Sequence, residues 1–245
     1  MEKDEKIVVK NISKNFKIGF GKNQSALARF VSFFSGREPK KVFEALKDVS
    51  FEVFSGEILG IIGDNGSGKS SLLRIISGIY QQDSGQIIKT GKIISLINLG
   101  LGLKERLTMK DNIYLAGSLF GLNSLEIGQR LKSIADFSGL ENFLNTKLYQ
   151  FSNGMMQRLV FSLAVHSNPD ILLLDEVFEV GDEDFKKKSA EKIKELVEKG
   201  ASVILVSHDL ELIKKYCNSA IMINKGRIAK IGKVEEVVEY YLKNK

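Results

Sequence analysis

A single cysteine, Cys217, stands in the 245 residues of the chain. One thiol excludes an internal disulfide and a cysteine zinc cluster and points to a reducing compartment, with Cys217 serving as core filler. No apolar run approaches the roughly 18 residues that cross a bilayer. The opening Met-Glu-Lys-Asp-Glu-Lys is too charged for a signal peptide. Both absences predict a cytosolic chain. Internal repeats and low-complexity tracts are missing, and the length suits one α/β unit with a subsidiary lobe rather than an added substrate domain.

Charge is present but uneven. The formal net charge is +6, and between Lys6 and Lys41 nine Lys and Arg side chains face Glu38 alone. Within that basic region, Leu27, Phe30, Val31 and Phe34 recur at i, i+3, i+4 and i+7. The spacing predicts an amphipathic helix over 24–36, next to Arg29. Two readings stay open: an ordinary helix packed on its own core, or one lying on a membrane or on a partner's membrane-facing helices.

The most specific stretch is Gly63-Asp64-Asn65-Gly66-Ser67-Gly68-Lys69-Ser70, which fits GxxxxGK[ST] at every specified position. Ile58, Leu59, Ile61 and Ile62 before it suit a buried strand, and Leu72, Leu73, Ile75 and Ile76 after it follow helical spacing. Strand, glycine loop and helix N-terminus together form a cradle of inward-pointing N–H groups for a polyphosphate. Asn65, Gly66, Ser67, Gly68, Lys69, Ser70 and Ser71 are its candidate ligands. Lys69 would reach the β- and γ-phosphates, and the Ser70 hydroxyl would coordinate Mg²⁺.

Along the rest of the chain, strands alternate with helices, which predicts a mostly parallel sheet with ligand at its carboxyl ends. Ile7–Ile12 reads as a first strand and Phe43–Phe54 as a second. Residues 98–168 change character: Thr108 with Asp111 and Asn123 with Glu126 look like capping boxes, and the period is helical. A last helix of that lobe opens at Ser152 and closes before Pro169. Ile171–Leu174 is a fully apolar strand ending in Asp175-Glu176, where one carboxylate would hold the Mg²⁺ water shell and the next would polarise an attacking water. Ser202–Val206 is another strand, ending at Ser207-His208-Asp209.

That triplet is no hydrolase relay, since neighbouring side chains on an extended chain point to opposite faces. His208 alone is placed to bond a γ-phosphate or the attacking water, whereas His166, near a helix C-terminus, reads as structural. An Asn-Lys-x-Asp base reader is absent, because Asn224-Lys225-Gly226-Arg227 lacks the Asp. An arginine-rich lid is absent too. GTPases and small nucleotide kinases are thereby disfavoured.

Phe151-Ser152-Asn153-Gly154-Met155 resembles the LSGGQ signature of ABC ATPases, with Arg158 at the usual offset. The order of phosphate loop, helical lobe, signature, Asp-Glu strand and His208 is similar to an ABC nucleotide-binding domain over essentially the whole chain. Asn98-Leu99-Gly100, the stretch Asp111–Leu115, Asp175-Glu176-Val177 and Val180-Gly181-Asp182 resemble the subfamily that exports O-antigen, teichoic acid and capsule. In that subfamily the segment between Phe16 and Phe43 carries a gate helix.

The resemblance implies an α/β P-loop NTPase of the ABC ATPase type, with a mostly parallel core sheet, an antiparallel β subdomain and a helical subdomain. One domain spans 1–245: a core lobe of 1–97 and 169–245, a gate-like insert at 24–36 and a signature lobe of 98–168. It also implies that the chain hydrolyses ATP with Mg²⁺ as the motor of a polysaccharide exporter. Phe16 would stack on adenine, Asp175 bind the metal's water, Glu176 act as general base and His208 as switch. Ser152, Asn153 and Gly154 would close over the nucleotide of a second copy, with Asp182 near the junction. Partners would be that second copy, a pair of membrane permease subunits and a lipid-linked glycan as cargo, without nucleic acid, at the cytoplasmic face of the cell membrane. The short C-terminal end would leave no room for an appended carbohydrate-binding domain.

Three departures qualify the pattern. Asn98 stands where a Gln usually senses Mg²⁺ and is one methylene shorter. Asn153 and Met155 replace Gly and Gln of the general signature. Phe16 lacks the common Tyr hydroxyl, so some GTP use is compatible with the site. The rival reading is a soluble ABC ATPase acting on ribosomes or nucleic acid, suggested by the basic N-terminal region; the second cassette or long coiled coil usual there is missing.

Overall fold

The computed structural model describes residues 4–18, 41–97, 102–175 and 181–244. The expected amphipathic helix at 24–36, and with it Asn98 and Glu176, lies outside the described residues.

Six strands form the central sheet in the order β5-β6-β7-β3-β8-β9. They are β3 (Ile58–Ile62), β5 (Ile93–Leu96), β6 (Ile171–Asp175), β7 (Ser202–Val206), β8 (Ser219–Asn224) and β9 (Arg227–Lys233). The first five in that order run parallel, and β9 closes the edge antiparallel to β8. Alternation explains why β6 is apolar from Ile171 to Leu174 and β7 from Val203 to Val206. Leu172, Leu174, Val203 and Leu205 enter a core on one face, and Ile171, Leu173, Ile204 and Val206 enter a second core on the other. Each such buried side chain contributes roughly 1.5–3 kcal/mol, so a one-residue slip in register is strongly disfavoured.

The second core is shared with a three-stranded antiparallel sheet of order β2-β1-β4, made of β1 (Glu5–Ile18), β2 (Lys41–Phe54) and β4 (Ser84–Lys89). β1 is longer than the Ile7–Ile12 expected from alternation. Register shifts interrupt it after Val9 and after Ile12, and Asn11 sits there at φ 52°, bonded through its N–H to Ser50 Oγ at 2.8 Å. These bulges break the period while the pairing continues to Ile18, opposite Lys41.

Helix α1 (Lys69–Ile76) follows the glycine loop and packs into the second core. Helices α2 (Met109–Leu119), α3 (Ser124–Ser138) and α4 (Asn153–His166) build a lobe with its own apolar cluster around Met109, Ile113, Ile127, Ile134 and Leu159. Both expected capping boxes are present, Thr108 with Asp111 and Asn123 with Glu126, and Ser152 caps α4. Helices α5 (Glu183–Glu198), α6 (Leu210–Tyr216) and α7 (Val234–Lys243) complete the described elements. Gly60 of β3 lets α6 lie close: a Cβ there would stand 3.0 Å from both Cys217 Sγ and Ile213 Cγ2. Cys217 is buried, and burial pushes its thiol up to about 12, which fits the role of filler.

His166 ends α4 as a structural group. Its Nδ1 lies 2.7 Å from the Ser162 carbonyl and its ring meets Phe137 edge-on at 5.1 Å. Burial pulls it below its ordinary 6.5, with Lys192 and Arg130 adding to the effect and the Ser162 carbonyl opposing it. The unfolded chain therefore takes up this proton at a higher pH than the folded one. Stability falls as pH drops from that ordinary value through the folded value and levels off below. In urea unfolding followed from about pH 7.5 to about pH 5, His166→Gln should show a smaller loss of stability than the parent. An equal loss in both would exclude this role.

Candidate functional site

The loop after β3 and the start of α1 lie at the carboxyl end of the sheet, flanked in the sheet by β7 and β8. A cavity of about 430 Å³ opens there. Asn65, Gly66, Gly68, Lys69, Ser70 and Ser71 line one side, and Asp175 from the end of β6, Val206 from β7, Ile97 and Phe43 line the rest. Six of the seven loop residues expected from the motif thus share one cavity with Asp175. Ile97 and Asp175 immediately precede Asn98 and Glu176 in the chain.

Helix α1 starts without a side-chain cap, its Ncap position being Gly68, while α2 through α6 are each capped by a side chain. The ammonium of Lys69, 8% exposed, donates to the carbonyls of Gly63 at 2.7 Å and Asp64 at 2.9 Å. Gly68 adopts φ +116°, and a Cβ there would stand 2.6 Å from the Ala45 carbonyl oxygen of β2. Only glycine meets both conditions.

Ser67 departs from the expected ligand set. Its side chain is 5% exposed, does not line the cavity, and its hydroxyl has no hydrogen-bond partner among the described residues. Its N–H donates to the Asp64 carbonyl at 3.1 Å and its carbonyl accepts from Gly226 N–H at 2.8 Å. Ser67 therefore ties the loop to the β8–β9 turn by backbone and turns its side chain under the loop, because the first and last glycines of the motif force the chain to fold over it.

Phe16 departs too. Its ring meets Tyr80 edge-on at 5.5 Å, with the Lys14 ammonium 5.6 Å from its centroid, and it is absent from the cavity wall. Phe43, its direct partner in the β1–β2 register, lines the cavity and is 47% exposed.

His208 lines a second cavity of about 340 Å³, with Gly63, Asp64, Asn65, Ser207, Leu210 and Tyr241. Asn65 borders both cavities. Asp209 caps α6 by accepting from the N–H groups of Glu211 at 2.9 Å and Leu212 at 3.2 Å, and Ser207 Oγ accepts from Asp209 N–H at 3.0 Å. Ser207 and Asp209 are thus engaged in the turn into α6, as the rejection of a catalytic triad requires.

Residues 46–179 match the family model described as ABC transporter. The chain belongs to the ABC transporter family. It is 36% identical over 241 residues to the teichoic acids export ATP-binding protein TagH of Listeria innocua, covering 98% of this chain and 71% of that protein. It is 37% identical over 203 residues to the ABC transporter protein AbcA of Aeromonas salmonicida, 83% of this chain and 66% of that one. The O-antigen export system ATP-binding protein RfbB of Myxococcus xanthus is 34% identical over 98% of this chain and 56% of its own length. The chain thus spans about half to seven-tenths of the curated relatives it matches. A solved ATP-binding subunit of an ABC transporter superposes with TM-score 0.76 at 25% identity, covering 96% of this chain and 92% of that one. The ATP-binding cassette MJ0796, in a dimeric post-hydrolysis state with ADP and Pi, gives TM-score 0.74 at 25% identity, covering 93% and 98%. By family and by fold this is an ABC cassette.

The remaining expected residues lie elsewhere in the cassette. Ser152 caps α4, its Oγ accepting from Met155 N–H at 3.2 Å, and Ser152 and Asn153 are exposed. Asp182 caps α5 by accepting from Phe185 N–H at 2.9 Å and lies 3.9 Å from Arg158 of α4. Ser152, Asn153, Gly154 and Asp182 line neither cavity.

The residues present fit a nucleoside triphosphate with Mg²⁺. The uncapped start of α1 and the Lys69 ammonium supply donors for phosphate, and a charge-assisted bond to phosphate is stronger than the one to a neutral carbonyl. Ser70 and Asp175 share the cavity wall. Among the described residues no group of three His, Cys, Asp or Glu side chains would hold a metal.

Gly226, at φ +76° in the β8–β9 turn, is as confined as Gly68: a Cβ would stand 2.8 Å from the same Ala45 oxygen. Gly226→Ala should therefore cost on the order of 1–3 kcal/mol of stability and weaken nucleotide binding, although it leaves every candidate ligand in place. Ser67→Ala, which removes no hydrogen bond, should stay within about 0.5 kcal/mol of the parent. Urea unfolding and nucleotide titration check both; a costly Ser67→Ala would contradict the placement of its hydroxyl.

Proposed function

We propose that the chain is the ATP-binding and ATP-hydrolysing subunit of an exporter of lipid-linked polysaccharide, working as two copies beneath a membrane permease at the cytoplasmic face. The observation that carries the ATPase reading is the single cavity that joins Lys69, Ser70 and Asp175. The cargo reading draws on the export of teichoic acids and O-antigen that TagH and RfbB are named for, proteins to which nearly the whole chain is similar. No helix among the described residues is long and apolar enough to cross a membrane, so a separate permease fits this reading.

In this proposal the amides of Gly66, Gly68, Lys69, Ser70 and Ser71 orient the phosphates, and Lys69 moves from the loop carbonyls to the β- and γ-phosphate oxygens. Ser70 and, through water, Asp175 would hold Mg²⁺, which would supply charge neutralisation at those oxygens. Glu176 accepts the proton of the attacking water. His208 and Asn65 serve the γ-phosphate side, and Asn98, one methylene shorter than the usual Gln, takes the position that couples the site to the permease. Phe43 supplies the aromatic wall for the base in place of Phe16, its partner in the β1–β2 register. Because Ser152, Asn153, Gly154 and Asp182 lie outside the chain's own cavity, they serve the site of the second copy. Ser152 Oγ and the first amides of α4 then meet the γ-phosphate opposite.

Glu176→Gln keeps the shape of the side chain and removes its basicity. ATP hydrolysis should fall by at least about 100-fold while an ATP-bound dimer accumulates in size-exclusion chromatography. Turnover close to that of the parent, with no dimer, would refute the assignment of the general base.

A further inference from the structure

The phosphate loop is held by a side chain from the far end of the chain. Tyr241 of α7 donates its hydroxyl to Asp64 Oδ1 at 2.9 Å, across a separation of 177 residues. The carbonyl of the same Asp64 accepts from Lys69 Nζ at 2.9 Å and from Ser67 N–H at 3.1 Å. Asp64 therefore links α7 on one side to the phosphate-binding lysine on the other. The Tyr241 ring is 9% exposed and belongs to the core cluster that includes Val237 and Val238 of the same helix, so the hydroxyl is presented from a fixed base. Burial first, and the Asp64 carboxylate second, push the phenol above its ordinary 10, which keeps it a donor at neutral pH.

Two physical consequences follow from that bond. Asp64 is a carboxylate inside an anion-binding loop, and a free carboxylate would repel a triphosphate. The bond instead turns Asp64 into the second cavity, and it is absent from the wall of the first. Gly63 and Gly68 are confined by the backbone around them, whereas a Cβ on Gly66 would meet nothing within 4 Å, so the stretch between them keeps glycine's conformational freedom to lose on binding. A side-chain anchor at the residue after Gly63 removes part of that freedom before the ligand arrives.

We propose that Tyr241 is a positioning residue for nucleotide binding, which holds the Asp64 carboxylate off the cavity wall shared by Lys69, Ser70 and Asp175 and tethers the phosphate loop to α7. The proposal rests on the nucleotide-binding reading above. It also makes α7 and the loop reciprocal: whatever orders one orders the other.

The test compares Tyr241→Phe, Asp64→Ala, the double variant and Ile134→Ala, all in the full chain. Ile134 is fully buried in the separate core of the helical lobe and touches neither cavity wall, so its truncation reports loss of packing alone. Two quantities are read: hydrogen–deuterium exchange of amides 63–68 without nucleotide, and the Kd for a fluorescent ATP analogue with Mg²⁺. Tyr241→Phe should speed loop exchange and weaken the analogue roughly three- to tenfold. It should add nothing further in the Asp64→Ala background, while Ile134→Ala lowers Tm and leaves Kd within about twofold of the parent. Unchanged loop exchange in Tyr241→Phe, additive effects of the pair, or an equal loss of affinity in Ile134→Ala would each overturn the proposal. A parent chain that binds no analogue would instead refute the functional reading, and loop exchange would still decide whether the tether exists.

Discussion

One backbone oxygen, that of Ala45, fixes the position of the phosphate loop. Gly68 of the loop and Gly226 of the β8–β9 turn both approach it so closely that a Cβ on either would stand within 2.8 Å. Around this point the Gly226 N–H donates to the Ser67 carbonyl, and the Gly226 carbonyl accepts from Lys47 N–H, both at 2.8 Å. Three segments that belong to two different sheets are locked there, backbone against backbone. The cradle of amides depends on that packing, because an anion site made of main-chain donors is only as precise as the path of the main chain.

The strand order explains what meets the loop. β3 delivers the glycine loop, its neighbour β7 delivers His208 just past its end, and β6 beyond it delivers Asp175. Parallel strands bring all three to one edge of the sheet, so residues more than a hundred positions apart border adjoining cavities. The signature segment is carried instead by the helical lobe, which has its own core. Its separation from the chain's own cavity is what the proposed pairing of two copies calls for.

Local chemistry was legible in the sequence, and non-local chemistry was not. Thr108 with Asp111 and Asn123 with Glu126 are reciprocal caps three residues apart, so their pattern and their geometry coincide. The loop motif and the apolar strands before Asp175 and Ser207 were readable for the same reason. The motif names Ser67 as a loop residue but carries no information on which way its side chain turns. Phe43 escaped notice because its place opposite Phe16 follows from the β1–β2 register, which no local period encodes once Asn11 bulges the strand. The Tyr241–Asp64 bond joins residues 177 positions apart, and nothing near either residue announces the other.

In the proposed motor a single copy leaves the site incomplete, and the dependence of specific ATPase activity on protein concentration tests that directly. Activity per chain should rise with concentration and saturate as the ATP-bound pair forms. A specific activity that stays constant down to concentrations where only single chains are present would contradict it.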